Sequence, residues 1–274
     1  MPRAWQDPSP AHHHQAPLLA DKVVLVSGGT DGLGAEIARA AVDAGASVAI
    51  SGRREDLGIR TAEQLGVRGG RDAIYLRADV ADVVSARASV TATVGHFGRV
   101  DCLVNAAGLT TRGSLLDTTP ELFDAHVAVN LRAPFFLMQA AVQDMLRRKS
   151  PGTIVNIITM SSHGGQPYLA PYAATKAGLA GLTKNAAHAH RWDRIRINGL
   201  NIGWTETEGE DAIQRQFHGA GDGWAEAAAK KLPMGKLGQV DEIADLVVFL
   251  LSDRSGVATG SVIDWDQNVP GAHD

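Results

Sequence analysis

The chain has 274 residues, 45% of them hydrophobic and 20% charged, which suffices for one substantial core in one α/β domain or two small ones. Its 30 acidic and 26 basic residues leave a formal net charge of -4 with no long run of like charge, which argues against nucleic-acid and membrane-surface partners. The only cysteine, Cys102, excludes an intrachain disulfide, and the strongest apolar run, 246–251, is far short of the roughly 20 residues of a membrane helix, so a soluble cytoplasmic protein is expected.

Residues 1–20 are rich in Pro and include His12, His13 and His14, but lack the basic start and long apolar segment of a secretory signal; a disordered arm is expected. No acid or Cys cluster joins the three histidines to complete a metal site, and no metal is expected. From 22 to 27 a β-branched run reads as a strand, followed by a glycine cluster and a helical pattern in Ile37, Ala38, Ala41 and Val42. The cycle then repeats. Strands are expected at 47–51, 73–77, 100–105, 153–159, 194–200 and 261–264. Helices are expected at 55–65, 82–96, about 120–148, around Tyr172 and Lys176, and at 240–251. Strands apolar nearly throughout, alternating with helices, imply a parallel sheet covered on both faces. The expected fold class is therefore a single doubly wound, Rossmann-type α/β domain over 21–274. A looser polar segment at about 201–231 reads as one or two short helices forming a lid.

The first βα junction reads Ser27-Gly28-Gly29-Thr30-Asp31-Gly32-Leu33-Gly34. Open backbone amides at a helix start favour a pyrophosphate, and glycines let it approach; an isolated glycine cluster is also an ordinary turn. The second strand ends in Arg53 and Arg54 with no carboxylate. Two guanidiniums there match a 2′-phosphate, which favours NADP over NAD, although a solvated basic turn has the same composition. Tyr172-Ala-Ala-Thr-Lys176 places a phenol and an ammonium on one helix face. A fixed positive charge favours the phenolate, so Lys176 is expected to lower the Tyr172 pKa and make it an acid–base catalyst.

In that order and spacing, these features resemble the short-chain dehydrogenase/reductase family from about residue 21 to the end of the chain. The resemblance implies that the Ser27–Gly34 turn holds the cofactor, that Asp79 and Val80 contact adenine, and that Asn105, Ala106 and Gly108 steady the sheet beside it. It matches Asn130 to the family's active-site Asn and places Tyr172 and Lys176 against the nicotinamide ribose. The family's catalytic Ser would fall at Thr159, a departure that keeps the hydroxyl, with Ser161 as the alternative. After strand six, Asn201-Ile202-Gly203-Trp204 replaces the family's Pro-Gly, with Ile202 and Thr205 expected near the nicotinamide and 204–224 over the substrate. The implied activity is NADP(H)-dependent hydride transfer to or from a carbonyl or secondary alcohol of a small polar substrate, by a homotetramer or homodimer. A cofactor-retaining sugar epimerase or dehydratase is a rival, although such proteins carry a larger region after strand six. A non-catalytic dinucleotide sensor is a second, although its Tyr or Lys is usually degraded.

Overall fold

The β-branched run after Lys22 forms strand β1 (Val23–Ser27), all five of its residues buried. It is followed by α1 (Gly32–Asp43), β2 (Ser47–Gly52), α2 (Glu55–Gly69), β3 (Ala73–Arg77), α3 (Val83–Phe97) and β4 (Cys102–Asn105). The second half runs α4 (Pro120–Val127), α5 (Ala133–Arg148), β5 (Gly152–Ile157), α6 (Ala170–His190), β6 (Ile195–Ile202), α7 (Glu208–His218), α8 (Trp224–Ala229), α9 (Val240–Leu251) and β7 (Val262–Trp265). The structure is a computed structural model that describes residues 17–271. Its seven strands form one all-parallel sheet in the order β3-β2-β1-β4-β5-β6-β7.

Successive strand residues point to opposite faces, so each strand feeds two cores. On one face Val24, Val26, Val48 and Ile50 pack against α1, α2 and α9 through Ile37, Leu65 and Val247. On the other, Leu25, Ala49 and Leu103 pack against α3, α5 and α6 through Val90, Leu137 and Ala187. The doubly wound α/β expectation is met. The chain leaves β1 toward the β3 edge and returns to β4 on the other side, so the strand order reverses between β1 and β4. Crevices at such a reversal, outside the carboxyl ends of the strands, are where this architecture takes ligands. Ser27 and Asn105 are register partners at that spot.

Three expectations need correction. Most of the expected arm, with its three histidines, lies outside the described residues, but residues 17–20 belong to the body: Leu19 is fully buried and its N–H donates to Ala44 O. Its leucine side chain caps the core cluster that α1 and α9 enclose, which outweighs the proline-rich composition before it. The helix expected over about 120–148 is interrupted at Ala128–Arg132 by a widened turn in which Ala133 N–H reaches back five residues to Ala128 O. Pro134 supplies the cause: it lacks the N–H that would bond Asn130 O, and its ring would clash with that carbonyl in a regular helix. The lid segment begins later than expected, because Asn201 and Ile202 still pair with Asp264 and Trp265 in the sheet.

Candidate active site

The turn after β1 is built by its glycines. Gly28 has φ +79, and a Cβ on it would stand 2.6 Å from Ala107 N, so the turn lies directly on the segment that follows β4. Gly34 lets α1 close on the turn, since a Cβ there would fall on Gly28 O. Gly28 and Gly29 both donate to Ser51 O, at 2.9 and 3.2 Å. Asp31 is the residue before α1, yet its carboxylate makes no cap bond and pairs with Arg54 instead. The first turn of α1, with no acidic side chain of its own, keeps its amides directed outward at the switch point.

Around that turn stand the other residues expected to hold a dinucleotide. Thr30 is buried beneath Gly52, and Leu33 packs partly against the core. Arg53 is exposed and has no ion pair among the described residues, whereas Arg54 is engaged by Asp31. Asp79 is exposed at the end of β3; one carboxylate oxygen accepts from Ala81 N at 3.0 Å, and its N–H donates to Ser85 Oγ. Val80 is buried behind it. At the end of β4, Asn105 Nδ2 donates to Asn156 Oδ1 at 2.7 Å, while Asn105 Oδ1 is buried with no partner among the described residues. Buried carbonyl oxygens are rarely left that way, so an acceptor remains for a further group beside the turn. Outward amides, a free guanidinium and this unpaired acceptor along one crevice fit a nicotinamide dinucleotide.

The reacting groups converge from β5, α6 and the widened turn. Lys176 is buried on α6; its Nζ donates to Ile157 O at the end of β5 at 2.8 Å and lies 5.8 Å from the centroid of the Tyr172 ring. Burial holds the Lys176 pKa down to about 8. Tyr172 is half-buried, and loss of hydration at its hydroxyl pushes the pKa up to about 12; Thr159 and Arg112 act against the rise and Glu210 adds to it. The expectation that Lys176 lowers the Tyr172 pKa is therefore corrected. Burial dominates both groups, and the ammonium is turned to a backbone carbonyl at the flank of the ring. At neutral pH the phenol is protonated, so it presents itself as an acid.

Thr159 and Ser161 take different places. The Thr159 hydroxyl stands close enough to the Tyr172 hydroxyl to favour its ionised form, and it accepts from Ser161 N at 3.2 Å across a short helical turn. Ser161 Oγ instead donates to Gln166 Oε1. Asn130 is fully buried in the widened turn: Oδ1 accepts from Leu109 N at 2.8 Å and Nδ2 donates to Leu109 O at 2.9 Å. A Cβ on Gly108 would lie 3.8 Å from Asn130 Oδ1 and 4.0 Å from Lys176 Nζ, so those two groups border one spot. Ala106 sits partly buried beside them. Ile202 and Thr205 lie at the carboxyl end of β6, Thr205 buried and donating to Gly203 O.

The sequence expectations omit four residues of the site, three near Tyr172 and one on Ser161. Arg112 and Glu210 come from the segments before α4 and within α7, and Gln166 precedes α6; no local pattern announces any of them. His126, whose ring meets Tyr172 edge-on at 6.2 Å, sits four residues before Asn130, a spacing that puts the two on one helix face. Over the site, Trp204 and Trp224 stack with centroids 5.8 Å apart, their indole N–H groups donating to Glu210 and Asp211.

The chain is similar to known proteins over nearly its whole length. Residues 28–267 match the family model described as enoyl-(acyl carrier protein) reductase. The chain is 35% identical to the trans-4-hydroxycyclohexanecarboxylate dehydrogenase of Sinomonas cyclohexanicum, over 90% of this chain and 92% of that one. It is also 35% identical to the L-rhamnose 1-dehydrogenase (NAD(P)(+)) of Azotobacter vinelandii, over 89% of this chain and 94% of that one. Among solved structures, a short-chain type dehydrogenase/reductase from Mycobacterium marinum superposes with a TM-score of 0.84 at 28% identity, covering 93% of this chain and 97% of that one.

Proposed function

The chain belongs to the short-chain dehydrogenase/reductase family, acting on CH-OH groups, and from that premise we propose that it is an NADP(H)-dependent oxidoreductase for a carbonyl or secondary alcohol of a small polar substrate. The bound nicotinamide supplies the hydride chemistry. The observation that carries the reading is the convergence of Tyr172, Lys176, Thr159 and Asn130 at the strand ends beside the glycine turn. Tyr172 is the general acid, placing its hydroxyl proton on the carbonyl oxygen in reduction and recovering it in oxidation. Thr159 donates to the same oxygen as negative charge develops there, and Ser161, turned to Gln166, shapes the wall beside it. Lys176 holds the nicotinamide ribose, and Asn130, whose Oδ1 borders the same spot as Lys176 Nζ, holds a water that links Lys176 to solvent and so lets the replacement proton reach Tyr172.

Ser27, Gly28, Thr30, Asp31, Gly32, Leu33 and Gly34 form the pyrophosphate turn, and Asp79, Val80, Asn105, Ala106, Gly108, Ile202 and Thr205 complete the dinucleotide crevice. Support for NADP lies in the turn after β2, where Arg53 has no ion pair among the described residues and Arg54, held by Asp31, stands beside it. Support for a polar substrate lies in Arg112 and Glu210 near Tyr172, in Gln166 on Ser161, and in relatives named for dehydrogenation of L-rhamnose and trans-4-hydroxycyclohexanecarboxylate. The segment carrying α7 and α8 serves as the lid. A single buried thiol, its pKa pushed up to about 11, suits a cytoplasmic protein. The assembly is a homotetramer or homodimer.

The test is loss of NADPH absorbance against a panel of ketones, keto-sugars and keto-acyl esters. Tyr172→Phe is expected to lower turnover about a thousandfold or more while NADPH affinity stays within about twofold. Arg53→Ala is expected to weaken NADPH about tenfold and leave NADH nearly unchanged. An active Tyr172→Phe removes the assigned acid, and equal loss of both cofactors removes the NADP assignment.

A further inference from the structure

His126 is a buried titratable group to which the chemistry above assigns nothing. It is fully enclosed on α4, and its Nε2 lies 3.1 Å from Thr111 O. A carbonyl oxygen only accepts, so the ring hydrogen is on Nε2 and Nδ1 is left as an acceptor. That Nδ1 is 3.1 Å from Asn130 Nδ2. The orientation of the Asn130 amide follows independently from Leu109, whose N–H meets Oδ1 and whose carbonyl meets Nδ2. Asn130 Nδ2 thereby gives one hydrogen to Leu109 O and aims the other at His126 Nδ1, with Thr175 Oγ1 a longer contact at 3.4 Å, and Oδ1 is turned to the spot it shares with Lys176 Nζ beside Gly108.

We propose that His126 is a positioning residue: a neutral imidazole with its hydrogen on Nε2, anchored on Thr111 O, which accepts from Asn130 Nδ2 and so keeps Asn130 Oδ1 at the spot beside Gly108 that Lys176 Nζ also borders. The inference rests on the reading of Asn130 and Lys176 as parts of the proton path. It adds a proton-sensitive control to that path, because protonated Nδ1 would be a donor facing a donor, and the amide would lose its orientation. The surroundings favour the neutral form. Titratable and charged groups on the elements packed against His126 are Tyr172 and Lys176 on α6, with Lys184, His188 and His190 two or more turns farther along it, Arg132 in the widened turn, which is turned to Ala81 O, and Asp117 and Arg112 in the segment before α4, turned to Ser114 and to Thr110 O. On α4 itself Glu121 and Asp124 are exposed. Burial is the larger influence on the ring and holds its pKa below the usual imidazole value.

The test uses the full chain. Nitrogen NMR of histidine-labelled protein, with the His126 signal identified by its loss in His126→Asn, is expected to show the hydrogen on Nε2 and no protonation in the usual imidazole range. A hydrogen on Nδ1, or ordinary titration, overturns the proposal. Kinetics with NADPH and diacetyl supply the second arm. His126→Phe, which fills the space and cannot accept, is expected to lower turnover about fivefold with NADPH affinity unchanged. His126→Asn, whose amide oxygen falls near the Nδ1 position, is expected to recover most of that loss and to lack the wild-type fall in turnover at acid pH. Wild-type turnover in His126→Phe, or an unshifted acid limb in His126→Asn, overturns the proposal. If wild type leaves diacetyl and every carbonyl of the panel untouched, the functional reading fails, and the NMR arm still decides the tautomer.

Discussion

Lys176 shows how the site sets function against stability at the level of one residue. Its pKa falls from 10.5 to about 8 through burial. Between those two values the unfolded chain holds a proton that the folded chain does not, so stability rises as pH climbs through that window and the full cost of charging is present below it. Lys176→Met removes the cost, less the hydrogen bond to Ile157 O. A gain of about 1–3 kcal/mol is expected near neutral pH, fading as pH approaches the unfolded lysine value, together with loss of turnover. Thermal unfolding of both proteins across that range checks it. Tyr172, raised to about 12, lowers stability at higher pH in both proteins alike and drops out of the difference. The hydroxyl alternative is settled by a second pair of variants. Thr159→Val is expected to lower turnover about a hundredfold, as loss of a donor to a developing oxyanion does, and Ser161→Ala only about twofold. The reverse order would move the role to Ser161.

At the level of elements, the widened turn decides where Asn130 points. The turn spans Ala128–Arg132 and is closed by Ala133 N–H on Ala128 O, because Pro134 offers no N–H to Asn130 O. Pro134→Ala restores that N–H, so the turn is expected to close to regular helix and rotate Asn130 away from Leu109. Cooperative unfolding is expected to persist while turnover falls about tenfold, and the His126 NMR signal should shift with it. A variant with unchanged turnover would separate the turn from the site. The same element shows what the sequence discloses. Short continuous apolar runs separated by helical spacing disclose the seven strands and the long helices, because burial on both faces leaves a strand apolar nearly throughout. Asn130 is legible through the family pattern, and Pro134, fourteen residues after the helix start, is the sign of a break in the sequence. The break was missed because helical periodicity on either side of it stays in phase with one buried face. Leu19 was missed for a different reason: two leucines after a proline-rich stretch carry no period, and only the assembled core shows that Leu19 closes it. Arg112 and Glu210 come near Tyr172, and Gln166 reaches Ser161, through tertiary folding alone, so no spacing in the chain links them.

On the scale of the whole molecule, α5 carries apolar surface that its own domain does not use. Its inward face buries Leu137, Met138, Ala141, Val142 and Met145. Phe135 and Leu146, three helical turns apart and therefore on one side, are 44% and 41% exposed, and Phe123 on α4 is 44% exposed. Scattered apolar residues are normal on a surface, but an aligned pair on a helix that already fills the core is what a second copy would cover. An isologous contact doubles every such residue across the two-fold axis, so one change strikes the interface twice. Phe135→Glu would bury two carboxylates with no cation supplied, at a cost of several kcal/mol. Light scattering of the wild type is therefore expected to give a tetramer or dimer, and Phe135→Glu a smaller species at the same concentration. The site itself lies at the carboxyl ends of the strands, and α5 reaches it through the widened turn that holds Asn130. A fall in turnover on dissociation would mean that the contact steadies that turn, whereas full turnover in the smaller species would confine the contact to assembly. If the wild type is a monomer, the outward side of α5 has no self-association role.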